Sequence, residues 1–128
     1  MGDLTKNISR HEVECNCGCG FDTVDYELID IIQKTCDYFA DKLHLKKVVL
    51  IITGPNRCKK YNENVDGAIN SEHTAGRALD FRIREINADI LADYLDKKYK
   101  DRISLGRYFN RVHLGTRDRG ARWEVKPI

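Results

Sequence analysis

Between residues 24 and 54 the chain changes its hydrophobic period once, and that change constrains the fold more than any other feature. Val24, Leu28, Ile31, Ile32, Cys36, Phe39 and Leu43 recur at intervals of three and four, the spacing of one apolar face on a helix. The run from Lys47 to Thr53 follows at once, β-branched and apolar, and stops at Gly54-Pro55. A long helix feeding a short buried strand excludes an all-helical bundle and an all-β sandwich together. The helix is predicted from Val24 to Leu43, with Asp22 or Thr23 as its N-cap and Asp25 and Glu27 favourably placed in its first turn. The longest apolar run, Val48 to Ile52, falls far short of the roughly 18 residues of a membrane span, so no membrane partner is expected.

The rest of the chain repeats the alternation. Ala78 to Ile83 reads as a second strand, with Ala78, Asp80 and Arg82 on one face and Leu79, Phe81 and Ile83 on the other. Asn87 caps a second helix that runs to about Tyr99, with Ile90, Leu91, Tyr94 and Leu95 on its stripe and Lys97, Lys98 and Lys100 at its end. Two short strands are predicted near 103–108 and 111–114, and Trp123 to Val125 adds an edge strand. Asn56 to Asn70 has no period and reads as a long loop, which in a small domain usually serves function. With 128 residues, 41% of them apolar, the chain has enough material for one core and not for two. The expectation is a single domain over 1–128 of the α+β class, with a small antiparallel sheet flanked by two main helices.

The net charge of +2 hides a gradient. Residues 1–30 hold seven acids and two bases, and residues 102–128 hold seven bases and two acids. A basic C-terminal third can hold an anionic polymer such as nucleic acid or cell-wall material, or it can pair with the acidic N-terminal segment. No zinc-finger or aromatic ribonucleoprotein motif is present, so nucleic acid is not expected as a partner. Residues 1–10 carry Asp3, Lys6 and Arg10 without an apolar segment, which predicts synthesis in the cytoplasm without a signal peptide. Cys15, Cys17, Cys19, Cys36 and Cys58 are an odd number, and the preferred reading is free thiols in a reducing compartment. The sharper alternative is a four-thiolate zinc site from Cys15, Cys17 and Cys19 with Cys36 or Cys58. Its spacing is unusual, since structural zinc ligands are normally paired two to four residues apart.

Among four histidines, His44 is explained by its place at the end of the first helix, and His11 lies in a polar stretch that suggests no role. His73 differs. It ends a loop and is followed seven residues later by Asp80 on the polar face of a strand, with Gly76 permitting the turn and Ala78 leaving room for an ion. His113, on a later strand, can supply a third ligand. Two histidines and a carboxylate with an open fourth position are the ligand set of a catalytic zinc, which lowers the pKa of bound water to near 7. On spacing alone, the plainer reading is an exposed strand carboxylate and a loop histidine.

The pattern Ser-x-His-x-x-Gly-x-Ala-x-Asp, carried by Ser71, His73, Gly76, Ala78 and Asp80, resembles the signature of the zinc D-Ala-D-Ala carboxypeptidase family. That family is related to the vancomycin-resistance dipeptidases, to phage L-alanyl-D-glutamate endopeptidases and, distantly, to the hedgehog signalling domain. Thr53 to Cys58, Tyr61-Asn62, Gly106-Arg107-Tyr108 to His113, Gly120 to Trp123, and the Cys17 to Asp22 opening resemble segments of small phage-type members in the same order. The resemblance implies a fold like that of hedgehog and the D-Ala-D-Ala peptidases, with one zinc ion held by His73, Asp80 and His113. It implies that Arg57 faces the substrate carbonyl or carboxylate, where a fixed cation stabilises an oxyanion. It places Ser71 at the substrate or the ligand shell. The implied activity is hydrolysis of peptidoglycan stem peptides at a D-Ala-D-Ala or L-Ala-D-Glu bond, in a phage or prophage lysis protein or virion hydrolase acting at the cell wall.

The chain departs from that family where a general base is expected. Better-studied relatives carry glutamate three residues before the last histidine ligand, where this chain has Asn110, and others carry histidine two before it, where this chain has Arg111. Many small members continue from that histidine with x-Asp, and here Leu114-Gly115 follows. Asparagine cannot accept a proton from water. Three alternatives stay open: a loop carboxylate such as Glu63, Asp66 or Glu72 serves, zinc hydroxide acts with weak assistance, or the chain is a zinc-retaining, non-catalytic wall-binding or structural phage module. Oligomeric state is not legible.

Overall fold

The two helical stripes and the alternating strand set the architecture. The computed structural model describes residues 4–20, 24–65, 67 and 71–125. In chain order these form α1 (Arg10–Val13), α2 (Tyr26–Lys42), β1 (Leu50–Gly54), α3 (Lys59–Asn64), a 3-10 turn (Glu72–Ala75), β2 (Ala78–Ile83), α4 (Ala88–Tyr99), a second 3-10 turn (Lys100–Arg102), β3 (Ser104–Tyr108), β4 (Val112–Gly115) and β5 (Arg122–Val125). The α+β class and the two main helices are as expected.

Local chemistry explains the boundaries. Asp25 is the N-cap of α2, its carboxylate accepting the Leu28 N–H at 3.3 Å, while the expected caps Asp22 and Thr23 lie outside the described residues. Asn87 caps α4 as predicted, accepting the Ile90 N–H at 2.9 Å. β1 starts at Leu50 and not at Lys47, because the backbone N–H of Val49 goes to the Glu85 side chain at 2.9 Å. The expected 56–70 loop contains α3, a six-residue helix capped by Cys58. Neither α3 nor α1 is long enough to show a period.

The strand order is β1-β2-β4-β3-β5. The first four strands pair antiparallel and β5 pairs parallel to β3, so the sheet is mixed where a purely antiparallel one was expected. β4 ends beside the start of β3, and a strand begun after the short 116–121 connection therefore runs along β3 in the same direction. Leu79, Phe81 and Ile83 of β2, Val112 and Leu114 of β4 and Leu105 of β3 face one way and pack with Leu28, Ile31, Ile32 and Phe39 of α2 and Leu91 and Leu95 of α4. That core covers one face of the sheet and leaves the other for polar residues.

The charge gradient is satisfied within the fold at several points. Arg119 and Arg102 reach Glu27 at 2.7 and 3.5 Å, while Arg107 reaches Asp93 and Arg122 reaches Asp96, each at 2.8 Å. Four of the seven C-terminal bases are thus held to acids of the two main helices. Phe81 is fully buried at the centre of the core, so Phe81→Ala is expected to cost about 3–5 kcal/mol in urea unfolding. A loss under about 1 kcal/mol would contradict this packing.

Candidate metal centre

On the face of the sheet away from the helices, one row of directly paired residues crosses all five strands: Gly54, Asp80, His113, Gly106 and Trp123. The alternation that sends Phe81, Val112 and Leu114 into the core sends Asp80 and His113 to this face. Gly106 lets the row close up, since a Cβ there would stand 2.5 Å from the Trp123 ring. The indole lies 4.8 Å from the His113 imidazole, centroid to centroid.

His73 joins from outside the sheet. Ser71 is the N-cap of the 3-10 turn, its hydroxyl accepting the His73 N–H at 3.2 Å, and Gly76 closes the turn at φ 67° as the sequence anticipated. The His73 ring lies between Pro55 O at 2.9 Å and Asp80 Oδ1 at 3.2 Å. A carbonyl only accepts, so the proton sits on Nδ1 and the Nε2 lone pair faces a carboxylate oxygen. Two acceptors at that distance call for a positive charge between them, a proton or a metal ion.

His113 presents its other nitrogen: Nδ1 is 3.0 Å from the same Asp80 Oδ1, and Nε2 is 3.0 Å from Glu72 Oε1. The ligand atoms of His73, Asp80 and His113 all lie within 4.8 Å of one another, and all three residues are buried. A tetrahedral zinc with bonds near 2.0–2.2 Å separates its ligands by about 3.4 Å, so this donor set fits one such ion. Each imidazole also has its outward N–H anchored, on a carbonyl or a carboxylate, as metal-binding histidines require.

Glu72 is the residue that sequence reasoning misread. It was a candidate base, but it is buried and fully engaged: Oε1 accepts from His113 and from the Ser104 hydroxyl at 2.7 Å, and Oε2 accepts the N–H groups of Arg117 and Asp118 at 3.1 Å each. Burial alone would raise its pKa, yet these donors, His113 foremost, hold it at about 2. Gly115 makes the space, because a Cβ there would collide with the Glu72 carboxylate and the Ser104 hydroxyl. The volume that a residue-115 side chain would fill thus holds a carboxylate delivered by residue 72.

Electrostatics at the row are set by the same groups. Burial opposes ionisation of Asp80, but the two imidazoles hold its carboxyl well below the usual range. Burial likewise disfavours a charged His113, yet the flanking carboxylates push it up to about 9. Without a metal the ring is thus a cation at neutral pH, and an ion taking Nδ1 displaces that proton.

An open cleft of about 520 Å³ lies over the row, bounded by Arg57, Ser71, Tyr108, Trp123, Arg117 and Asp118. The Arg57 guanidinium is tied to Asn62 Oδ1 at 3.1 Å, and its backbone N–H donates to the His73 carbonyl at 3.1 Å. All five residues singled out from sequence, Arg57, Ser71, His73, Asp80 and His113, line this one cleft. Asn110 is exposed in the β3–β4 turn, Glu63 is exposed on α3, and Asp66 lies outside the described residues.

A model of the family described as peptidase M15 matches residues 6–115. The chain belongs to the M15 peptidase family. No curated protein matches it, and no solved structure does. M15 peptidases are metal-dependent, and the match spans the whole His73, Asp80, His113 constellation of this M15 member. The sequence marks neither Ser104 nor Trp123 as part of the centre, and it offers Glu72 as a base where the structure makes it the partner of His113. Gly115 was the available sign, a residue without a side chain two positions after a ligand on a buried strand. Glu72→Gln is expected to weaken metal binding that depends on Asp80 by about 10–100-fold in chelator competition, with an unchanged circular dichroism spectrum. Unchanged affinity would show that Glu72 does not orient His113.

Proposed function

We propose that this M15 member is a zinc peptidase of peptidoglycan stem peptides, cleaving a D-Ala-D-Ala or an L-Ala-D-Glu bond, and that it serves a phage or prophage in lysis or as a virion hydrolase acting at the cell wall. The observation that carries this reading is the anchored pair of imidazoles around Asp80 at the floor of a cleft that also holds Arg57. In this reading His73 Nε2, Asp80 Oδ1 and His113 Nδ1 hold one zinc ion. When bound, zinc supplies Lewis acidity toward a carbonyl and activates water.

The chain's own groups do the rest. Arg57, held by Asn62, faces the developing oxyanion or the substrate carboxylate with a fixed cation. Ser71 keeps His73 in place through the turn it caps and lines the peptide's path. Trp123 and Tyr108, joined by an indole N–H to hydroxyl bond of 3.3 Å, give the cleft an aromatic wall for a short peptide. Among the described carboxylates at the cleft, Asp80 and Glu72 are committed to the imidazoles. Asp118 remains to move the proton, and Arg117 engages both its oxygens at 3.0 Å. That engagement favours a second reading, a zinc-retaining module that binds wall peptides without cutting them. Neither reading needs a membrane anchor, and no helix among the described residues is long and apolar enough to cross a membrane.

Mass spectrometry of stem peptides and purified peptidoglycan incubated with the zinc-loaded protein separates the two. The peptidase reading predicts release of D-Ala or cleavage after L-Ala, abolished in Asp80→Ala and reduced about 10²–10³-fold in Arg57→Ala, which keeps its zinc. Full activity of Arg57→Ala would remove its electrostatic role. Zinc-loaded protein that binds these peptides and leaves them intact would establish the binding module.

A further inference from the structure

Four of the five cysteines converge, three from residues 15–19 and the fourth, Cys58, from far along the chain. The Sγ atoms of Cys15 and Cys17 are 3.4 Å apart, those of Cys15 and Cys58 3.8 Å, and those of Cys17 and Cys58 3.6 Å. Cys19 completes the group, with all four sulfurs within 4.8 Å of one another. A tetrahedral zinc with Zn–S bonds near 2.3 Å spaces its sulfurs about 3.8 Å apart. A disulfide would need two of these atoms to close to about 2.05 Å.

The alternate spacing that argued against this set is overcome by the backbone. Gly18 adopts φ +81°, a left-handed conformation closed to most residues, and its N–H donates to the Cys15 carbonyl at 3.3 Å. The chain therefore coils, and Cys15, Cys17 and Cys19 point to one place. Backbone amides serve the sulfurs as well: Cys58 N–H donates to Cys15 Sγ and Tyr61 N–H to Cys58 Sγ, each at 3.4 Å, bonds that favour the thiolate a metal needs. The odd count is also resolved, since Cys36 is buried in the core with α2 and its thiol is pushed up to about 12 by that burial.

We infer that Cys15, Cys17, Cys19 and Cys58 are a second metal site, a closed tetrathiolate that takes one zinc ion and clamps the N-terminal segment to the loop carrying Arg57. Four protein ligands leave no open position, so the role is structural. The clamped loop is a junction: Asn56 N–H donates to Val13 O at 3.0 Å, Arg57 N–H to His73 O at 3.1 Å, and Pro55 O holds His73 Nδ1. An ion at the cysteines thus fixes the residues on either side of Cys58 that support His73 and aim Arg57. This site stands whether or not the cleft cuts peptides.

Metal counting and cobalt spectroscopy test it on full-length protein purified under reducing conditions. The expected result is two zinc per chain in the wild type and one in Asp80→Ala, with cobalt-exchanged Asp80→Ala keeping a sulfur-to-cobalt charge-transfer band. Cys17→Ser/Cys19→Ser, altering two exposed residues, is expected to hold one zinc and lose the band. One zinc in the wild type, with none and no charge-transfer band in Asp80→Ala, would overturn the site. So would a wild-type mass lighter by two hydrogens per pair, the sign of disulfides among these cysteines.

Discussion

The Asp80 carboxylate, buried between two imidazoles, is the interaction on which the rest of the site depends. A buried anion is costly unless it is paired, and here one oxygen faces His73 at 3.2 Å and His113 at 3.0 Å. The hydrophobic core on the opposite face secures this pairing. Asp80 and His113 lie directly across the β2–β4 ladder, and a one-residue slip of β2 would turn Asp80 into the core and Phe81 out of it while His113 kept its face. The apolar alternation that stabilises the sheet is thus also what sets Asp80 beside His113.

Around that pair, the molecule devotes its nearby polar groups to orientation. Glu72 receives four hydrogen bonds, and Pro55, Ser71 and Gly76 set the turn and the ring of His73. The cost of that order is chemical, since a carboxylate saturated with donors and held near pKa 2 has no capacity to take a proton from water at neutral pH. The absence of a side chain at Gly115 and the engagement of Glu72 are one structural feature seen from two positions.

Much of the scaffold was legible because it is written in periods and caps. β2 was read to its exact ends from alternation, and α4 from Asn87 and its stripe. β5 was placed at the edge, but its four exposed residues carry no mark of the strand they join or of direction. Of the three candidate ligands, His73 and Asp80 were legible only through a ten-residue pattern, since nothing local distinguishes His73 from a solvated loop histidine, and His113 only as a histidine on a later strand. The sequence offered Cys15, Cys17 and Cys19 with Cys36 or Cys58 as a thiolate set and Glu72 as a loop carboxylate, but which fourth cysteine joins and which groups Glu72 meets depend on chain segments far away.

X-ray anomalous scattering at the zinc edge, on crystals of the zinc-loaded protein, tests the central claim most directly. A peak bonded to His73 Nε2, Asp80 Oδ1 and His113 Nδ1 is expected, with His113 Nε2 still on Glu72. A peak coordinated through His113 Nε2, or none between these three residues, would contradict it.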